Sequence, residues 1–436
     1  MQVRTLSNAS NRKLTMVGTN HKHAPIEVRE RLWCPPEKLP DRLRSTINQA
    51  NVGEAVILST CNRTEVYAVS SLDRDVSKDI KKTMSEWSGI QPADIERYTY
   101  AVTDEDAVQH LISVASGLDS LAVGEQQVQQ QVKHAFRIAN QTQTGGPFLS
   151  ELFRHAYRAA NSIRNLSGLD SERVSVSSAV TMMLKELSRK QPIQTILLVG
   201  AGKMISLAAE DLSEFPGVEV WVANRTVQRA QDLASQISGK AVGLEDIPKV
   251  LQKTDVVLTC ISSADYVIGA DDLREAMAKR NGKELTVIDV GVPRNVNPDS
   301  ALIPGLQLYN IDDLAPFIED QKKVYQAKIT EAEGLARKQA DSFETHMRAY
   351  EANDTLKDLR RIAEDIREEE LSRALRKLGD IPGREKTIVE LLTRRIVNKL
   401  LYEPTVRLKE HASNGDGEDF QAMIRELFGI GRQSEE

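Results

Sequence analysis

The chain's apolar residues form short, charge-bounded runs in its first two thirds and fall at helical spacing in its last third. Leu14 to Gly18, Glu54 to Leu58 and Glu65 to Val69 have the length and β-branched content of strands, and Lys38 to Ala50 between the first two is spaced as a helix. That alternation predicts an α/β domain. Asp104 to Ser113, Gln126 to Asn140 and Phe148 to Ile163 repeat apolar residues at helical spacing and close this domain near residue 165.

From Gln191 to Ile311 strand-like runs recur at Ile196 to Val199, Val218 to Ala223, Val256 to Cys260, Thr286 to Val290 and Gln307 to Tyr309, separated by helical patterns. Strands alternating with helices in this way predict a doubly wound, Rossmann-like nucleotide fold. Leu314 to about Tyr350 is rich in Ala, Glu, Lys and Gln, with Pro316 only near its start, and predicts one long helix. Leu356 to Leu401 and Phe420 to Leu427 continue as amphipathic helices around a polar loop, Ser413 to Gly417. Such helices leave apolar faces that either pair with a second chain or close on themselves as a bundle. The expected fold class is α/β multidomain: 14–165, a Rossmann-like domain at 166–311, a long helix at 312–354 and an all-helical domain at 355–430.

Composition narrows the setting. At 436 residues, 40% hydrophobic and 28% charged, the chain has an ordinary globular composition, and no run approaches the roughly 18 apolar residues that span a bilayer. Met1 to Lys13 is polar with three basic residues and no apolar centre, which predicts a disordered leader rather than a secretory signal or complete transit peptide. The three cysteines are too scattered for a disulfide framework or a thiolate zinc site and suit a reducing compartment: the cytoplasm, or the plastid stroma if the source is a plant. The net charge of −6 gives no general attraction for nucleic acid, so any RNA contact is local. The seven histidines include no paired zinc motif, so no metal site is expected.

Ser59 to Glu65 reads Ser-Thr-Cys-Asn-Arg-Thr-Glu directly after an apolar run, which puts the Cys61 thiol at a strand end with the Arg63 guanidinium two residues on. A thiolate stabilised by a nearby cation attacks carbonyl carbon to give a covalent intermediate. A lone cysteine is equally at home as a small buried hydrophobe, so the thiol alone leaves both readings open. Downstream, Thr195 to Val199 runs into Gly200-Ala201-Gly202-Lys203-Met204, with Ile205 where a third glycine would stand. Glycines there allow a tight turn and close approach of a pyrophosphate to the next helix N-terminus. The second strand ends in Asn224-Arg225-Thr226 without the acidic residue that holds NAD ribose hydroxyls, and Arg225 is available for a 2′-phosphate, which favours NADPH. His110 lies in a helical pattern before Gly117 and Gly124, where it is either a packed histidine or a general acid. For His21 and His23 a loop or capping role is the expectation.

Taken together, Gly18-Thr-Asn-His21, Ala24-Pro25, Arg29-Glu30, Ser59 to Glu65, Ser116 to Leu121, Gly124-Glu125, Val199 to Gly202, Ala223 to Thr226, Asp289, Val292-Pro-Arg294 and Tyr309 to Leu314 occur in the order of the glutamyl-tRNA reductase family, which the chain resembles over nearly its whole length. Departures fall at Gly124-Glu-Gln-Gln127, Arg164-Asn-Leu-Ser167 and Thr259-Cys-Ile-Ser-Ser263. The resemblance implies that Cys61 attacks the ester of glutamate on charged tRNA(Glu), that NADPH reduces the resulting thioester to glutamate-1-semialdehyde, and that His110 is the acid or orienting histidine. It implies substrate binding by Thr60, Arg63, Ser120, Glu125 and Gln127, and cofactor binding by Gly200, Ala201, Gly202, Lys203, Met204, Asn224, Arg225 and Thr226. It further implies a spinal helix at 312–354, a homodimer built on a dimerisation domain at 355–430, and an aminotransferase as a partner that takes the aldehyde. The alternatives left open are an NADPH-dependent reductase of a small thioester or aldehyde without tRNA, and a low-activity paralogue acting as a scaffold.

Overall fold

A computed structural model describes residues 12–71, 74–121, 123, 126–168, 175–212, 215–263, 265–379, 382–414 and 417–430. The chain divides into two compact units, one formed by 14–70 and 75–337 and the other chiefly by 338–436. No described helix is long and apolar enough to cross a membrane.

The first unit opens with β1 (Arg12–Asn20), α1 (Ile26–Leu32), α2 (Leu39–Gln49), β2 (Glu54–Ser59), β3 (Arg63–Ser71), α3 (Ser77–Ser88), α4 (Pro92–Tyr98), β4 (Tyr100–Thr103), α5 (Asp104–Ala115), α6 (Gln126–Gln141) and α7 (Pro147–Ser167). The strands form one sheet in the order β2-β3-β1-β4, with β2 and β3 antiparallel from Glu54↔Val69 to Ser59↔Thr64. Glu54, at the start of β2, accepts hydrogen bonds from the backbone N–H groups of Phe148 (3.2 Å) and Leu149 (2.7 Å), and so caps α7 and fixes it to the sheet.

A second sheet follows α8 (Val176–Lys190). Its elements are β5 (Thr195–Val199), α9 (Lys203–Asp211), β6 (Glu219–Ala223), α10 (Val227–Gln236), β7 (Lys240–Val242), α11 (Ile247–Leu251), β8 (Val256–Thr259), α12 (Ala270–Ala278), β9 (Leu285–Asp289) and β10 (Leu306–Asn310). All its pairings are parallel, in the order β10-β9-β8-β5-β6-β7, which reverses direction between β5 and β8 as a doubly wound nucleotide fold does. Strand alternation sends Ile196 and Leu198 to one helix-covered face and Leu197 and Val199 to the other, giving two apolar cores.

After a short 3-10 turn, α13 (Ala315–Val324) ends at Tyr325 and α14 (Gln326–Leu378) begins. The helix expected from Leu314 to Tyr350 is therefore broken at Tyr325 and runs on to Leu378. The second unit contains the later part of α14 with α15 (Gly383–Asn414) and α16 (Gly417–Leu427), packed through Leu356, Leu359, Leu401, Leu408 and Ile424. Leu356 to Leu401, expected as one helical stretch, is interrupted between Leu378 and Gly383. Part of the expected loop at Ser413 to Gly417 is helical through Asn414, and Gly415 and Asp416 lie outside the described residues. Ile388, Leu391, Leu392, Ile396 and Leu400 stay exposed along α15 at helical spacing.

Sequence reading missed α1, α3, α4 and α8, the short strands β4 and β7, and the true start of β1 at Arg12. Four- and three-residue strands carry too little periodicity to register, and the polar Arg12 and Lys13 mask a strand made by pairing. The rest of the expected leader lies outside the described residues.

Gly18 on β1 shows how tightly this sheet is packed. A Cβ there would lie 2.6 Å from Glu65 Cγ, 3.1 Å from the Thr64 carbonyl and 3.2 Å from Glu65 Cα. Gly18→Ala is expected to destabilise the unit by about 1–3 kcal/mol through overpacking against backbone. Urea unfolding checks this, and an unchanged midpoint would show that β3 can move aside.

Candidate active site

The β2–β3 hairpin turns at Thr60-Cys61-Asn62, and the turn is closed by its first residue. Thr60 N–H donates to the Arg63 carbonyl at 2.8 Å, while its hydroxyl accepts from the N–H groups of Asn62 and Arg63, each at 3.2 Å. Thr60 thus holds the tip that presents Cys61. The three cysteines separate by environment. Cys34 is buried, with its thiol pushed up to about 11 chiefly by burial; Cys260 is half-buried after β8; Cys61 is half-buried at the tip.

On β3, alternation places Arg63, Glu65 and Tyr67 on one face. Glu65, fully buried, accepts from Arg63 Nη1 (2.6 Å) and Tyr100 Oη (3.1 Å) at Oε1 and from Tyr67 Oη (2.7 Å) at Oε2, and its Oε1 lies 2.9 Å from His110 Nε2. Burial alone would raise the Glu65 carboxyl; the neighbouring His110 and Arg63, with the hydrogen bonds from His110 and Tyr67, hold it well below the usual carboxylate range. Arg63 reaches on to Asp119, at 3.0 Å from its Oδ2 and also to its carbonyl, and Lys22 meets Asp119 Oδ1 at 2.6 Å. Two cations and two carboxylates therefore balance in a largely buried cluster around His110.

Arg63 does not stand alone beside the thiol, as chain order suggests. Same-face pairing with Glu65 commits its guanidinium, and the cation bonded to the Cys61 carbonyl is Arg29 (3.2 Å). Two buried atoms at the cluster, Ser120 Oγ and His21 Nδ1, have no hydrogen-bond partner among the described residues, which is uncommon for buried polar atoms. His110, Lys22, Leu118 and Asp119 line a cleft of about 650 Å³ whose other wall includes Glu333 and Arg337 of α14. Cys61 is not among the cleft's lining residues; it packs with Ala201 and Met204 against the apolar core of the second sheet. Gln127 lies half-buried in the first turn of α6, and Glu125 lies outside the described residues.

At the second sheet Gly200 takes φ +118, and a Cβ there would strike the Cys260 carbonyl at 2.6 Å, so only glycine fits. Gly202 precedes α9 at its N-terminus, and a Cβ on it would meet nothing within 4 Å, which leaves room for a pyrophosphate beside Lys203 and Met204. At the end of β6, Asn224 Nδ2 bonds the Thr226 carbonyl (3.0 Å) and Arg225 is exposed. Asp289, at the end of β9, is pushed up to about 6 by burial although the N–H groups of Val296, Gly291 and Asn295 bond it, and it shapes the loop that follows.

Sequence reasoning gave no role to Glu65, Asp119, Tyr100 or Arg29. For Glu65 a signal existed: residues 63, 65 and 67 of a strand share a face, so Arg-x-Glu-x-Tyr can pair. Asp119, Tyr100 and Arg29 reach the site only through chain reversal.

A glycine turn at the head of a six-stranded parallel sheet, beside a hairpin tipped by cysteine, defines a nucleotide-binding protein of the dehydrogenase type with a candidate thiol nucleophile. Residues 17–167 match the family model of the glutamyl-tRNA(Glu) reductase N-terminal domain, 182–317 that of shikimate/quinate 5-dehydrogenase and 331–430 that of the glutamyl-tRNA(Glu) reductase dimerisation domain. Glutamyl-tRNA reductase of Carboxydothermus hydrogenoformans is 37% identical over 96% of this chain and 93% of its own, and that of Thermodesulfovibrio yellowstonii 35% over 97% and 100%. Among solved structures, glutamyl-tRNA reductase from Methanopyrus kandleri is 28% identical, with coverage of 96% and 99% and a TM-score of 0.46. The chain belongs to the glutamyl-tRNA reductase family.

His21 generates a pH prediction. Burial first, then Arg63 and Lys22, lowers its pKa from 6.5 to about 3, so the unfolded chain binds a proton that the native state refuses. This contribution is intact above pH 6.5 and is lost as pH falls towards about 3. Between pH 7 and 5.5, where most carboxylates stay ionised and Asp289 titrates alike in both proteins, His21→Gln is expected to flatten the loss of stability, which for one proton approaches about 1.4 kcal/mol per pH unit. Superimposable stability profiles for the two proteins would refute it.

Proposed function

We propose that this protein reduces glutamyl-tRNA to glutamate-1-semialdehyde with NADPH, through a thioester on Cys61, as the first step of five-carbon tetrapyrrole synthesis. The observation that carries the reading is the Cys61 tip, closed by Thr60 and seated against the core of the nucleotide-binding sheet, in a chain of this family.

The Cys61 thiolate attacks the ester carbonyl; the C–S bond forms, the C–O bond to the ribose breaks, and the leaving oxygen takes a proton. NADPH held at the Gly200 to Met204 turn would supply the hydride for the thioester carbon, and the Cys61 thiolate is the group released as the aldehyde forms. His110, fixed by Glu65, borders the cleft and is the residue suited to move the leaving-group proton. Ser120 and His21 offer unpaired atoms to the glutamyl group, with Gln127 and Glu125 completing the set by family likeness. Arg63 reads the substrate carboxylate only if Asp119 or Glu65 yields its place.

The cofactor's pyrophosphate is assigned to Gly200, Ala201, Gly202, Lys203 and Met204, and its ribose end to Asn224, Arg225 and Thr226. The open space at Gly202 supports a dinucleotide, and the absence of an acidic residue after β6 supports NADPH over NADH. The assignment of domains is 14–165 catalytic, 166–311 nucleotide-binding, 312–354 a helical spine that breaks at Tyr325, and 355–430 dimerisation. The exposed apolar stripe on α15 supports a homodimer. A free aldehyde is reactive, which favours direct transfer to an aminotransferase, and the compartment assigned is the cytoplasm.

Cys61→Ser is expected to abolish both aldehyde formation and covalent capture of radiolabelled glutamate, while Cys260→Ser keeps both. Normal reduction by Cys61→Ser would sink the thioester mechanism. Arg225→Ala is expected to raise the KM for NADPH and leave that for NADH unchanged. Steady-state kinetics with both cofactors decide this, and an unaltered preference for NADPH would move the phosphate contact elsewhere.

A further inference from the structure

α1 joins the cysteine-bearing hairpin to the nucleotide-binding sheet through charged residues that the chemistry above does not use. Arg29 is 2% exposed and all its guanidinium nitrogens are engaged. Nε donates to the Ala24 carbonyl (3.2 Å), Nη1 to the Cys61 carbonyl (3.2 Å) and to Asn62 Oδ1 (3.3 Å), and Nη2 to Asp312. Asp312 lies in the 3-10 turn directly after β10. The next residue of α1, Glu30, holds Arg294 in a forked ion pair (Nη2–Oε1 2.6 Å, Nε–Oε2 3.1 Å), and Glu27 adds a contact at 3.0 Å. Arg294 follows β9, so both links reach the C-terminal edge of the sheet, where doubly wound folds bind their ligands.

We propose that Arg29 is a positioning residue that ties the backbone of Cys61 to the nucleotide-binding sheet through Asp312, so that an acyl group on the thiol is held for reduction and not lost to water. The inference rests on the proposed thioester function and adds to it a physical link between acylation and reduction. A guanidinium is the group for this task because its planar, always-charged fork serves two backbone carbonyls, an amide and a carboxylate at once, which a single ammonium cannot. A thioester whose tip is no longer held against the sheet still forms, but water competes for it: hydrolysis gives free glutamate and restores the thiol.

The test turns on Asp312, whose side chain is 36% exposed, because replacing the buried Arg29 risks the fold itself. Asp312→Asn removes the charge from the link and leaves the cysteine and the glycine turn untouched. With labelled glutamyl-tRNA and no NADPH, this variant is expected to capture glutamate on Cys61 at the wild-type initial rate. With NADPH, the ratio of aldehyde to free glutamate is expected to fall by about tenfold, the size expected for loss of a charge-assisted hydrogen bond. Asp312→Glu should restore much of the ratio, which general loosening of the fold would not allow. A wild-type ratio in Asp312→Asn overturns the proposal, and so does loss of capture in parallel with reduction. Absence of capture by the wild-type protein would instead overturn the thioester function itself, and the two failures are thereby distinguished.

Discussion

A carboxylate sealed from water organises the N-terminal half of the first unit. Moving Glu65 out of solvent costs several kcal/mol unless its oxygens are met by charge and by donors. Here the partners come from Arg63 and Tyr67 on its own strand, from Tyr100 on β4 and from His110 on α5. Because these groups sit on three different elements, satisfying one carboxylate sets the distance of β4 and α5 from β3. Gly18 supplies the remaining condition, since any side chain there would displace Glu65. The hub also fixes which nitrogen of His110 points inward, so the site's electrostatics and its packing have one origin.

Charge pairing continues outward with graded exposure. Arg63 and Asp119 are largely shielded, Lys22 reaches Asp119 from the surface, and Arg29 and Arg294 carry the pattern to the nucleotide-binding sheet. Pairs at the surface contribute little to stability, whereas pairs shielded from solvent are costly to break because a lone charge is left behind. The inner members therefore fix geometry, and the outer ones are suited to adjusting it. Burial sorts the cysteines by the same physics: it suppresses the thiolate of Cys34, while Cys61 sits half-exposed at a turn.

The second unit obeys a different constraint. Leu356, Leu359 and Leu401 make a small apolar core, yet α15 keeps a further apolar stripe in solvent. Small helical assemblies cannot cover every such face. A second copy of the same stripe would cover it symmetrically, as the match of residues 331–430 to a dimerisation domain accords with.

Much of this was legible in the sequence because it depends on local periodicity. Alternation and short apolar runs marked the long strands, the glycine turn stood between a strand and a helix, and the Thr-Cys-Asn-Arg segment sat where a strand ends. Arg63 looked like a cation for the thiol or the substrate, because chain order shows neighbours and not pairings. Tertiary structure gave that guanidinium to Glu65 and Asp119 and brought Arg29, 32 residues before Cys61, to the thiol's own carbonyl. The extent of α14 likewise depended on where the chain actually bends, at Tyr325 and after Leu378. The sequence by itself determined the chemistry available and the elements that carry it, since both follow from residue type and near-neighbour spacing. Only the tertiary structure decided which charges meet, because an ion pair between distant residues is set by how strands and helices pack, and burial then makes that choice costly to reverse.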